Sequence, residues 1–270
     1  MRRRSLILGG LGAAPLLAAV RAHGLTTGAL RVGTDIALFD SGLARALQQA
    51  FGRDTGIGVR LIRSPVLPLL ESLSAGELDA GLANAPEAEA VLDRQGLVYD
   101  RRFLGTGEFV LVGPAAGAKA RGRAGVAGGH DVASALGRLR DGASGEPGSP
   151  VFLSANDGSG AHVAEQAAWR LAGVAPQAPW YRMAVAEDSC AAQARARGAY
   201  AIVERAAWSI QGGAPLAILV DGDARLTEQV HAMRSFRSPH PAGKLFMAWI
   251  GGAHGRTVVG AHRGYRVSTS

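Results

Sequence analysis

Between an apolar stretch at Val151 to Ser154 and a helix predicted over 161–172 lies a loop containing Ser154, Asn156, Asp157, Ser159 and Gly160. Hydroxyls, an amide and a carboxylate at such a junction can do two kinds of work. They cap the free N–H groups of the helix, or they present donors and acceptors to a ligand held at its start. Thr34 and Asp35 stand in the same relation to the first predicted strand, Leu30 to Thr34. Ser64 precedes Pro65, which fixes a turn that exposes its hydroxyl.

The same residues argue against catalysis. Asp157, Ser159 and His162 are the ingredients of a hydrolase triad, but they are crowded into one turn and cannot line up as orienter, nucleophile and base. No G-x-S-x-G elbow is present. The histidines lack metal-ligand spacing, so neither a metal nor a cofactor is implied, and Gly105-Thr106-Gly107 is too little for a nucleotide fingerprint. Cys190 is the only cysteine, which excludes an internal disulfide and reads as a small buried side chain.

The elements that must position these groups alternate. Strand Leu30 to Thr34, helix 41–54 with Leu43, Ala46, Leu47 and Ala50 on one face, strand Val59 to Ile62, helix 67–75, strand Ala80 to Ala83 and a helix from Glu87 to Gln95 form a βαβαβα series. That order predicts a mostly parallel sheet covered by helices. Phe109 to Val112 then leads through Gly113-Pro114 and the loop 115–129 into a second lobe. Its predicted elements are helix 132–139, the helix at 161–172 with Val163, Ala167 and Leu171 spaced for burial, a helix near 188–197, a short helix from Glu204 and strand Leu216 to Val220. Val230 to Phe236 reads as a return crossing, and helices 241–250 and 254–261 pack back on the first lobe. Ligands of α/β lobes sit at strand carboxyl ends, so the cleft between the lobes is the expected site.

At 270 residues and 47% hydrophobic side chains, the chain can bury two cores. Arg2, Arg3 and Arg4 precede an apolar run from Leu6 to Val20 and small residues at Ala22 and Gly24, the layout of a secretory signal peptide over 1–24. The run falls short of the roughly 20 residues a membrane span needs. Arg3-Arg4-Ser5-Leu6-Ile7 suits twin-arginine (Tat) export, with the Sec route open beside it, and either places the mature protein in the periplasm. Net charge is +7, and Arg2, Arg3, Arg4 and Arg21 fall near or within the leader, leaving +3 without them. The remaining cations are scattered, so nucleic acid is not an expected partner.

Several segments, taken in order, resemble the tungstate-binding periplasmic proteins of ABC importers. They include Asp40-Ser41-Gly42-Leu43, Thr55-Gly56-Ile57, Asn84-Ala85-Pro86-Glu87, Glu108-Phe109-Val110-Leu111-Val112-Gly113-Pro114, Phe152-Leu153-Ser154 with Asp157, Ser159-Gly160 and His162, Trp180-Tyr181, Glu204-Arg205 and His240-Pro241. The resemblance covers residues from about 30 to about 262. It implies a two-lobed type II periplasmic binding fold, each lobe a mixed, mostly parallel sheet flanked by helices, with two hinge crossings. Residues 25–107 plus 232–270 would form the first lobe and 108–231 the second. It further implies a monomeric solute-binding component that docks on a membrane permease and holds a small solute such as an oxyanion through Thr34, Asp35, Ser64, Ser154, Asn156, Asp157, Ser159 and Arg205.

The chain departs from the family where the ligand would sit. Asp35 puts a carboxylate where the family has Ser or Thr, and the family's Ser-Arg-Gly-Asp stretch reads Ser154-Ala155-Asn156-Asp157, without its cation. Arg63 or Arg205 would replace that charge if either points into the cleft. Alternatively, Asp35, Asp157 and Asp188 suit a ligand that donates hydrogen bonds. A sensor or accessory domain with the same fold is the alternative to transport.

Overall fold

The computed structural model describes residues 28–114, 126, 129–145, 148–185 and 189–267. The leader read at 1–24, most of the 115–129 loop and Asp188 lie outside the described residues. In chain order the first elements are β1 (Leu30–Asp35), α1 (Ile36–Asp40), α2 (Leu43–Thr55), β2 (Val59–Ser64), α3 (Val66–Ala75), β3 (Ala80–Ala83), α4 (Pro86–Arg94) and β4 (Val98–Pro114). There follow α5 (Val132–Gly142), β5 (Phe152–Ser154), α6 (Gly160–Leu171), β6 (Tyr181–Met183), α7 (Cys190–Arg197), β7 (Ala201–Glu204) and α8 (Arg205–Gln211). The chain closes with β8 (Leu216–Val220), β9 (Thr227–Ser235), α9 (Ala242–Ile250) and α10 (Ala253–Ala261).

The main sheet runs β2-β1-β3-β9-β4-β7, with β8 also on β4. β1 pairs in parallel with β2 and β3, as a β-α-β-α-β series requires. The ladders of β9 with β3 and β4, and of β4 with β7 and β8, are antiparallel, so the sheet is mixed. β5 and β6 form a short parallel pair, joined by a single bridge from Phe152 to Tyr200.

The 17-residue β4 connects two groups of strands. From Val98 to Glu108 it pairs with β9; from Phe109 to Pro114 its partners are β7 and β8. On one side α2, α9 and α10 pack around Phe51, whose ring meets Phe246 edge-on at 5.1 Å and Trp249 at 5.4 Å. On the other, Phe152, Trp169 and Trp180 anchor a separate core with Leu136, Leu139 and Leu219. Two further apolar clusters, around Leu69, Leu73 and Met233 and around Val112, Leu153 and Trp208, complete the interior among the described residues.

α2 buries Leu43, Leu47 and Ala50 as its spacing predicts, with Ala44 and Phe51 rather than Ala46 completing the face, and ends at Gly56 with φ 71°. α6 is rotated from its expected face. Val163 and Ala167 are half-buried and Leu171 is exposed, while Glu165, Ala168 and Trp169 turn inward. The Trp169 ring offers the largest apolar area on the helix and sets the rotation by packing against Phe152.

Candidate functional site

Asp35 closes β1 and starts α1, and its carboxylate is fully buried. One oxygen, Oδ1, accepts hydrogen bonds from the Ala37 N–H at 3.0 Å and from the Asn84 amide at 3.0 Å. The other, Oδ2, accepts from the N–H of Gly160 at 3.2 Å, at the start of α6. Burial raises the Asp35 pKa, and these three donors oppose the rise by favouring the charged form. Asn84 donates a second hydrogen bond, at 2.7 Å, to Glu228 of β9. Burial, reinforced by the charge of Glu204, holds Glu228 well above the usual carboxylate range.

The α6 loop is shaped by its own polar groups. Ser159 caps α6 by accepting from the His162 N–H at 3.3 Å, and Asp157 accepts from the Ser159 N–H at 2.9 Å. The Gly158 N–H donates to Nδ1 of His162 at 3.0 Å, so that nitrogen is an acceptor and burial lowers the histidine's pKa. Asn156 adopts φ 48°, in the left-handed region that asparagine tolerates better than most side chains. Beneath the loop, Glu165 accepts from the Tyr181 hydroxyl at 2.7 Å, and burial pushes it up to about 7.

Beside Asp35 lies a cavity of about 430 Å³. Its wall combines Ile36, Ala37, Asp40 and Arg63 from the β1 and β2 side with Asp157 and Ser159 from the α6 loop, and with Cys190, Glu204 and Trp208 from α7, β7 and α8. Glu204 caps α8 through the N–H groups of Ala206 and Ala207, at 2.7 and 2.6 Å, and burial pushes it up to about 7. Cys190 sits at the first position of α7 with its thiol pushed up to about 12 by burial, which keeps it protonated.

Of the residues expected at the site, Asp157 and Ser159 line this cavity. Asp35 is packed behind its wall among the three donors. Thr34 is buried with its hydroxyl 3.4 Å from the Asp35 carbonyl, and Ser64 donates to the Pro65 carbonyl at 3.2 Å. Ser154 is buried under the loop and accepts from the Asn156 N–H at 3.2 Å, while the Asn156 amide lies 3.2 Å from the Met183 sulfur. Arg205 turns away, with Nε on Glu108 and Nη2 on Asp221, both at 2.6 Å. Arg63 is therefore the arginine of the two that reaches the cavity.

Sequence reasoning passed over Asn84 and Glu228, the buried partners of Asp35. Asn84 was read as the end of a strand and as part of a segment resembling the family, with no role at the site, and Glu228 was not singled out. Among the described residues no three His, Cys, Asp or Glu side chains gather as for a metal ion, and no helix is long and apolar enough to cross a membrane.

No protein-family model matches the chain. A solved tungstate-binding protein from Desulfovibrio alaskensis superposes with a TM-score of 0.70 at 26% identity, over 90% of this chain and 99% of its own. This is a type II periplasmic binding fold. The resemblance read from Asp40-Ser41-Gly42-Leu43 and the later segments holds across the chain. A tungstate-binding protein of Peptoclostridium acidaminophilum is 26% identical over 243 residues, covering 87% of this chain and 82% of that one. A Haloferax volcanii protein, named for anion binding in an ABC transporter, is 29% identical over 199 residues, 73% of this chain. The chain spans 55% of that relative's length. The hydrogen bond from Gly160 to Asp35 joins the start of α6 to the end of β1, 125 residues earlier in the chain.

Proposed function

We propose that this chain is the extracytoplasmic solute-binding component of an ABC importer, holding a small oxyanion of the tungstate or molybdate kind between two lobes. The observation that carries the reading is the cavity between the β1–β2 side and the α6–β7 side, which meets helix starts from both and contains Arg63. Helix-start N–H groups and a guanidinium are the donor types an oxyanion requires. Here the chain's own Asp35, Ser159 and Glu204 cap the starts of α1, α6 and α8, and Asp40 pairs with Arg63, so a ligand competes with these side chains for the donors. The tungstate-binding relatives of the same fold support the ligand class.

In this reading residues 25–107 plus 232–270 form one lobe and 108–231 the other, with closure by bending near 107–110 and 230–236. The protein is exported by the leader at 1–24, acts as a monomer and delivers its solute to a membrane permease. It binds without turnover: the Ser159 hydroxyl is engaged as a helix cap and Nδ1 of His162 accepts a backbone N–H, so neither is poised as nucleophile or base.

Thermal unfolding of the mature chain, stripped of co-purified ligand, tests the proposal against tungstate, molybdate, sulfate, phosphate and a panel of polyols and amino acids. A ligand at about 100 times its dissociation constant adds roughly 2.7 kcal/mol of stability and raises the midpoint by a few degrees. A shift with tungstate or molybdate is the expected result. A shift confined to polyols or amino acids would overturn the oxyanion assignment and keep solute binding; no shift with any compound would overturn both.

A further inference from the structure

We infer that Asp35 is a tethered anion occupying the seat that a free oxyanion would otherwise take, so that it sets the affinity and selectivity of the cleft. The inference rests on the solute-binding reading above and adds a specificity-determining residue to it.

The geometry is that of a bound anion. Two backbone N–H groups, from Ala37 and Gly160, and the side-chain amide of Asn84 converge on one carboxylate at 3.0 to 3.2 Å. The carboxylate is wholly removed from solvent, and none of its three donors is a cation. These neutral donors come from separate parts of the chain, as an enclosed ligand's do. The difference is that this anion is covalently part of β1. Ala37, itself one of the donors, and Ser159, the neighbour of Gly160, line the cavity, so the seat adjoins the space a solute enters.

The surroundings are built for that approach. A β-carbon at position 160 would lie 2.3 Å from the Asn84 carbonyl oxygen, so glycine lets the α6 start close on Asn84 and Asp35. That oxygen has no partner, and neither has Oε2 of Glu228, so the Asn84 amide is oriented by its donations to Asp35 and Glu228 rather than by anything on its acceptor side. An oxyanion entering the seat must first displace the carboxylate. Its apparent dissociation constant is then multiplied by the reciprocal of the fraction of molecules in which the seat is free.

The test is titration calorimetry of the full mature chain and of Asp35→Ser with sodium tungstate, sodium molybdate and sodium sulfate. The expected result is that Asp35→Ser binds tungstate at least about tenfold more tightly than the parent chain, a seat free in under about one molecule in ten. Equal affinity in the two proteins, or tighter binding by the parent, would overturn the inference and leave the oxyanion reading intact. Failure of both to bind any oxyanion would overturn it as well, with the solute panel deciding the broader reading separately. Should Asp35→Ser not fold, amide resonances of the ¹⁵N-labelled parent decide. Displacement requires the Ala37 and Gly160 signals to move when tungstate is added to saturation, and unmoved signals, or no binding at all, overturn the inference.

Discussion

Arg63 lies along the cavity wall with its guanidinium paired side-on to Asp40, Nε at 2.9 Å and Nη2 at 2.8 Å from the two carboxylate oxygens. The cation lining the cavity is therefore already paired with Asp40, the last residue of α1. Asp40→Asn is expected to strengthen oxyanion binding severalfold, and Asp40→Asn with Arg63→Ala to lose the gain; calorimetry with tungstate checks both. The pair is partly exposed, so the single change should alter stability by no more than about 1 kcal/mol.

Ser159 holds the first turn of α6 through the His162 N–H. Ser159→Ala should cost about 1 kcal/mol in urea unfolding, the usual loss for a helix N-cap, and Ser159→Asp should restore most of it. An unchanged unfolding midpoint in Ser159→Ala would mean the cap contributes nothing.

Glu165 gives a pH dependence with a definite sign. Burial raises its pKa from 4.5 to about 7, so the folded chain holds a proton that the unfolded chain releases. This stability is present in full below about pH 4.5 and is lost as pH rises toward 7, amounting to roughly 3 kcal/mol at most. Glu165→Gln keeps a hydrogen-bonding group for the Tyr181 hydroxyl and cannot titrate. Across pH 5 to 8, the thermal midpoint of the parent chain should fall relative to that of Glu165→Gln, and parallel curves would refute the assignment.

Gly160 is where the α6 start meets Asn84 most closely. Gly160→Ala places a methyl group 2.3 Å from the Asn84 side-chain oxygen and forces the two apart. Overpacking of this kind typically costs 1–3 kcal/mol. Circular dichroism in urea should show that loss, and Gly158→Ala supplies no substitute control because its φ of 74° adds backbone strain of its own.

Local signals were enough for the βαβαβα beginning, because Leu43, Leu47 and Gly56 announce a helix and its stop from neighbours a few residues away. They failed for the first half of β4. Tyr99-Asp100-Arg101-Arg102-Phe103 has no clean alternation; Tyr99, Arg102 and Phe103 are held in the ladder by β9 from more than a hundred positions downstream, and Asp100, at φ 56°, interrupts the register between them. The rotation of α6 was hidden for the same reason, since Trp169 finds Phe152 only in the folded core. At the site, the polar loop at Ser154 to Ser159 was legible as a helix start. Which side chains face the cavity was not, because that depends on the turn at Asn156 and on the elements across the cleft. Asp35 stood out as an oddity against the family pattern, while its seat required Asn84 and Gly160 to be brought together from 49 and 125 residues away.

The pairing of β4 with β9 has a mechanical consequence. Residues from Val98 to Glu108 and from Thr227 to Ser235 are bonded to each other along most of their length, so the two connections form one ribbon rather than two separate joints. Neither strand can lengthen or slide without breaking its ladder to the other. A two-stranded ribbon yields most readily in twist. In the proposed closure, the bends near 107–110 and 230–236 are therefore coupled through this ladder, and movement of one strand group against the other is carried by both strands together.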